Sequence, residues 1–157
     1  MGASSLGYGE GCQRKYTFRN NDATGGNNIL KGNAVSLVLT TFGTAPNTGG
    51  PHPLVTRSGA ADINCIGVAL ENMDKGPGAA TAEGQFGEIC TWGFCQGLCI
   101  NGVAAGEAVG PDASGVFDDN VAPAGQFACA LEGNASGATR LTQMFFGDRG
   151  QLGFGGA

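Results

Sequence analysis

Two stretches of this chain echo one another, and that echo restricts the fold more than any other feature. KGNAV (31–35) is answered by AGEAV (105–109), and GVALEN (67–72) by ACALEG (128–133). The first correspondence is offset by 74 residues and the second by 61, so the first copy carries about 13 extra residues. FGTAPNTGGPHP (42–53) is the place for them. Each copy reads as a short strand, a tight Gly/Asp turn, a return strand and an apolar strand ending in Ala-Leu-Glu. A small β unit is used twice, and no residue set within it suits catalysis.

Glycine content points the same way. Thirty of the 157 residues are Gly, against about 7% in an average chain. Gly loses more backbone freedom on folding than any other residue, so most must sit where φ is positive or two backbones approach closely. That implies many turns and bulges, hence many short strands. Disorder is the wrong reading, because 41% of the residues are apolar and the β-branched and aromatic ones cluster. No segment offers an amphipathic helix. The expected class is all-β: a compact β-barrel or sandwich of short strands carrying an internal duplication. One domain over 1–157 is expected, with an N-terminal arm (1–15), a β domain (16–146) and a Gly-rich tail (147–157).

Alternation locates the strands. YTFRNN (16–21) alternates aromatic and polar residues, AVSLVLTTF (34–42) is the strongest strand, and a return strand covers 54–56. In ADINCIGVALE (61–71), Ile66, Val68 and Leu70 share one face. QFGEICTWGFCQGLC (85–99) places Phe86, Cys90, Trp92, Phe94 and Leu98 on one face and Gly87, Gly93 and Gly97 on the other. Such a glycine row lets a bulky side chain or a second backbone lie close against the strand, from the second half or from a neighbouring subunit. In the second copy Phe127, Cys129 and Leu131 point inward, and ATRLTQMFF (138–146) is the final strand.

Charge narrows the partners. Only 13% of residues are charged and the formal net charge is −5, with eight basic residues scattered and only Arg14-Lys15 adjacent. A nucleic-acid binder needs Lys and Arg to neutralise phosphates, so no direct nucleic-acid contact is expected. A surface this poor in charge suggests that a partner covers part of it. No run of about 18 apolar residues exists to span a membrane. The start MGASSLGYGEGCQRKY lacks a basic segment followed by an apolar one, so the expectation is a protein made and kept in the cytosol until a later event.

Reactive chemistry finds few candidates. The sole histidine, His52, lies between two prolines in the 42–53 loop, so no nucleophile has an evident base. Asp118-Asp119 are neighbours and point apart, while Pro111, Asp112 and Gly115 read as a turn with Asp as its cap. The glycine clusters GYGEG (7–11) and GFGG (153–156) lack the phosphate-loop pattern, and no EF-hand calcium pattern occurs. Six cysteines remain: Cys12, Cys65, Cys90, Cys95, Cys99 and Cys129. In an extended strand Cys95 and Cys99 share a face about 13 Å apart, at roughly 3.3 Å per residue, and Cys90 lies on the other face. That is too far for one tetrahedral ion or one disulfide. Buried free thiols are expected, with no catalytic residue, cofactor or metal; a disulfide or a small metal site at Cys90, Cys95 and Cys99 is the alternative.

The residues of 102–132 resemble a known family. The run Gly106, Val109, Asp112, Gly115 and Val116, then Ala128, Ala130, Leu131 and Glu132, is similar to the small decoration, or cement, proteins of tailed-bacteriophage capsids, in particular those of the DUF2190 type. The resemblance covers about residues 60–146; the six cysteines, the long 42–53 loop and the tail depart from the pattern. It implies a β-rich homotrimer on the exterior of the virion capsid, at three-fold or quasi-three-fold positions. Its partners would be the major capsid protein and its own copies, and it would stabilise the expanded shell by bridging subunits. Other virion parts, such as a head fibre base or a tail protein, are the alternative within this class. The chain ends are expected to carry intersubunit contacts, through Tyr16, Phe18, Arg19, Phe145, Phe146, Leu152 and Phe154.

Overall fold

A computed structural model of the protein describes residues 13–21, 28–38, 53–60, 62–75 and 84–147. Nine strands form one sheet: β1 (Gln13–Asn20), β2 (Ala34–Leu37), β3 (Leu54–Arg57), β4 (Cys65–Ala69), β5 (Phe86–Cys99), β6 (Ala108–Pro111), β7 (Phe117–Asp118), β8 (Ala128–Ala130) and β9 (Arg140–Phe146). A 3-10 turn at Pro123–Gly125 is the one helical segment among the described residues. The all-β expectation holds. β1 starts at Gln13, inside the segment read as an arm, because its polar stretch pairs through its backbone with β5.

The order β1-β3-β2-β4-β5-β7-β6-β8-β9 is closed twice, by the pairs β1–β5 and β5–β9. Two five-stranded rings result, and both contain β5. Within each ring the sequence pattern repeats: β3-β2-β4-β5 in the first is matched by β7-β6-β8-β9 in the second. The pairs β1–β3 and β5–β7 are both parallel, and every other pair is antiparallel. β5 is thus the last strand of one unit and the first of the next.

The duplication extends to single hydrogen bonds. Gly32 N–H donates to Ala69 O at 2.8 Å, and Gly106 N–H donates to Ala130 O at 2.7 Å. Ala69 N–H donates to Asn33 O and Ala130 N–H to Glu107 O, both at 2.9 Å. Leu70 N–H reaches Glu88 O at 2.9 Å as Leu131 N–H reaches Gln143 O at 2.8 Å. Even the glutamates of the two Ala-Leu-Glu runs agree: Glu71 accepts from Glu88 N–H at 2.9 Å and Glu132 from Gln143 N–H at 3.3 Å.

Two bulges decide which side chains go inside. Lys15 pairs with Cys90 and Arg14 with Trp92, so Thr91 is an extra residue in β5; likewise Ile66 is extra between Gly67 and Cys65, which pair with Val35 and Ser36. An extra residue reverses the facing of everything beyond it. Gly93, at φ +111°, adds a bend that non-glycine residues rarely adopt. Consequently Phe86 and Cys90 are separated from Trp92, Phe94 and Leu98, and Gly87 from Gly93 and Gly97, which corrects the single-face reading of 85–99. Ile66 likewise leaves the side of Val68 and Leu70, packing on the first core instead.

Each strand of the first ring contributes to its core, through Phe18, Val35, Val55, Ala69 and Ile89, joined by Ile29 and Met73. The second core fills the other ring with Cys95, Cys99, Phe117, Ala128, Met144 and Phe146, among others. It also takes in Ala34, Cys65, Val68 and Cys90 from the first ring's outer face. Ala128 and Ala130 are its β8 members and Phe127 packs against it as expected, whereas Cys129 is buried outside this cluster and Leu131 stays half-buried, so within β8 itself the inward set is shifted by one residue. The glycine row does admit bulky neighbours: Met73 lies over Gly87, and Met144 and Phe117 over Gly97.

Candidate interaction surface

Five of the seven residues expected at subunit contacts lie among the described residues, and three of them are buried in the fold. Phe18 and Phe146 are core side chains at 8% and 4% exposure, and Phe145 is buried at 3%. Burial within the chain leaves these three almost no surface for a partner, which corrects their reading. Tyr16 is 60% exposed. Arg19 is half-buried, its guanidinium 4.8 Å from the ring centre of Phe86 and its Nε donating to Gly84 O at 3.1 Å. Leu152 and Phe154 lie outside the described residues.

Sequence reading missed Phe86 as a surface group. It is 48% exposed, directly across the sheet from Arg19, and beside the Lys15–Glu88 ion pair at 3.2 Å. Its signal was masked by the assumption of unbroken alternation along β5. Other exposed apolar side chains are Leu30 at 49% and Ile63 at 74%, both in turns.

A second feature runs along the outer face of the second ring. There β5 presents Trp92, Phe94, Gln96 and Leu98, all half-buried, opposite Phe145, Gln143 and Leu141 of β9. Phe145 is clamped edge-to-face by Trp92 at 5.2 Å and Phe94 at 5.1 Å, and Arg14 lies 5.4 Å over the Trp92 ring. Such aromatic and cation–π contacts make a stiff surface stripe. Beside it is a cleft of about 260 Å³, lined by Gln13, Lys31, Leu70, Phe94, Cys95, Gln96 and Gln143.

Polar side chains elsewhere are used in building the fold. Asp112 Oδ1 accepts from Ser114 N–H at 2.7 Å and Val116 N–H at 2.9 Å, with Gly115 at φ +70°, the turn anticipated from its sequence. Asp118 Oδ1 accepts from Asn120 N–H at 2.8 Å. Asn134 is 1% exposed and its Nδ2 donates to Cys99 O, Ile100 O and Ala138 O. His52 lies outside the described residues.

The five thiols among the described residues are interior groups, and Cys12 lies outside those residues. Cys65, Cys90, Cys95, Cys99 and Cys129 are all buried and unbridged. The bulge at Thr91 turns Cys90 onto the same core as Cys95 and Cys99, which corrects the opposite-face reading. A hydrogen bond between the Cys90 and Cys95 thiols lowers the pKa of Cys90, and the same bond together with burial holds Cys95 well above the ordinary range. Burial pushes Cys65 up to about 11, and raises Cys99 and Cys129. Protonated, buried thiols are weak nucleophiles and weak ligands. Among the described residues no group of three His, Cys, Asp or Glu side chains is placed to hold a metal ion.

No family model matches the chain, and no curated protein does. The solved structures that it is similar to include "head fiber gp8.5 N base in bacteriophage phi29", with a TM-score of 0.59 and 13% sequence identity. The likeness covers 85% of this chain and 93% of that one. At this identity the likeness shows that the two share a fold.

Proposed function

We propose that this protein is a structural component of a tailed-phage head, acting by binding and not by chemistry. It attaches as a homotrimer to the outer surface of the expanded capsid and bridges major capsid subunits. The observation that carries this reading is the shared fold with a phage head fibre base over nearly its whole length. The capsid-decoration resemblance of residues 60–146 points to the same surface of the same particle. A trimer bound at three points converts weak single contacts into tight attachment. The test is to mix purified protein with expanded, undecorated heads and image them. Density at three-fold or quasi-three-fold sites is expected, and bare heads would overturn the proposal.

The same neighbour favours a second reading, in which the protein is the base of a head fibre. The two differ in what binding does to the shell. A cement protein raises the temperature or osmotic shock at which heads release DNA, whereas a fibre base leaves both unchanged.

A further inference from the structure

Opposite charge stands at matched positions of the two units. Strand pairing fixes the match. Leu37 and Ser36 pair with Val55 and Thr56 in the first unit, as Pro111 and Gly110 pair with Phe117 and Asp118 in the second. Val55 and Phe117 are core residues of their respective rings. Two residues after them come Arg57 in one unit and Asp119 in the other. The turns 30–33 and 104–107 match as well. Leu30 N–H bonds Asn33 Oδ1 at 2.8 Å, Ala104 N–H bonds the Glu107 carboxylate at 2.6 Å, and Gly32 and Gly106 have φ values of +88° and +91°. Between these turns Lys31 is replaced by Ala105 and Asn33 by Glu107. The first turn forms a junction with the second unit, where Leu98 N–H donates to Gly32 O at 2.8 Å; a side chain at Gly106 would meet nothing within 4 Å.

The cations of the first unit border a cleft of about 380 Å³, lined by Asn28, Leu30, Arg57 and Lys75. Leu30 and Lys75 are exposed, and Arg57 is half-buried with its stem against Gly115. Among the described residues the other basic side chains are engaged within the chain: Arg14 and Arg19 lie over aromatic rings, and Lys15 and Arg140 pair with glutamates. Lys31, Arg57 and Lys75 have no acidic partner there. The matching surface of the second unit carries Glu107, Asp118 and Asp119. Asn120 Nδ2 donates to both aspartates, at 3.2 and 3.0 Å. Partial burial, the hydrogen bond with Asp118 and the charge of Glu107 raise the Asp119 pKa. No cation among the described residues pairs with these three carboxyls.

We infer that the acidic surface of one molecule, Glu107, Asp118 and Asp119, docks into the cleft at Arg57 and Lys75 of a second copy. Charge complementarity names that occupant. The duplication makes the two surfaces alike in backbone and opposite in sign, so first-unit and second-unit faces attract while like faces repel. In a chain of net charge −5 this contact also steers copies into one orientation. The Arg57 guanidinium suits a carboxylate, which it can hold through two parallel N–H donors, and Leu30, 49% exposed, supplies apolar area at the edge of the cleft. Each copy offers one acidic face and one cleft. The contact is therefore heterologous and propagates until a ring closes. The inference rests on the self-associating reading given above and names its contact.

Charge reversal in the full-length chain tests it by sedimentation. Arg57→Glu and Asp119→Arg should each weaken self-association by about tenfold or more, with the melting temperature unchanged. Lys75→Glu, at an exposed position, should act in the same direction. The double variant Arg57→Glu/Asp119→Arg should regain the native association, because the pair is restored with its signs exchanged. A folded double variant that stays dissociated would overturn the contact. So would Arg57→Glu weakening attachment to heads while Asp119→Arg leaves self-association intact, since the cleft would then take an acidic segment of another protein. Failure of the two proposals is separable. A native chain that is monomeric yet decorates heads removes this contact alone, and a charge-swapped oligomer that forms but leaves heads bare removes only the capsid role.

Discussion

The turns 30–33 and 104–107 make the same hydrogen bonds with different side chains, and the difference follows their surroundings. Asn33 serves where its own side chain is buried, at 2% exposure, and its amide also donates to Gly115 O at 3.3 Å. Glu107 does the same local work with a carboxylate at a half-buried position. A buried site needs every donor and acceptor satisfied, and a charge there would be costly; a solvated one tolerates it. Backbone bonds define the unit, and side chains record what lies on top of it.

Substitutions at matched positions put numbers on that contrast. Gly32→Ala and Gly106→Ala share the strain of a positive φ, about 1–2 kcal/mol. Only Gly32→Ala also pushes into Leu141 and the Leu98 backbone, adding about 1–3 kcal/mol of overpacking. Thermal melts should show Gly32→Ala lower by about 2–4 °C for each such kcal/mol; equal melting temperatures would mean the junction is loose. The thiols come next. Cys65 titrates at about 11 in the native chain against an ordinary 9.0. The folded state holds that proton longer than the unfolded one, so its contribution is full below pH 9 and is lost as pH rises towards 11. Over that window Cys65→Ala should flatten the loss of stability by about 2–3 kcal/mol in urea titrations.

Smaller effects sharpen the same comparison. Asn33→Ala, which removes the acceptor of the part-buried Leu30 N–H and leaves Gly115 O with Ala34 N–H as its remaining donor, should cost about 1–2 kcal/mol. Glu107→Ala should cost under about 1 kcal/mol, because water can replace its carboxylate. The exposed pairs Lys15–Glu88 and Arg140–Glu132 are worth about 0–1 kcal/mol each. Removing either should shift the urea midpoint barely at all, and less still in high salt.

The duplication was legible in the sequence because the repeated residues are those with fixed backbone roles. Gly32 and Gly106 hold the turns, and the Ala-Leu-Glu runs make paired bonds to β5 and β9. The turn at Asp112 was legible for the same reason. What escaped were the bulges at Ile66 and Thr91, since an extra residue leaves no compositional mark and alternation simply continues through it. From that one omission came the misplaced Cys90 and the overlooked Phe86. Phe18, Phe145 and Phe146 were misread differently: aromatic residues near chain ends signal contact equally well when the contact is internal.

The strand Phe86–Cys99 belongs to both rings, and this has a consequence for how the protein comes apart. It is a party wall: cutting the chain near Thr91 would leave neither half able to complete its circuit. Excised repeats should therefore be insoluble or unstructured, and the intact chain should melt in a single step in spite of its two cores. Force applied to one unit is handed to the other along the backbone of that shared strand.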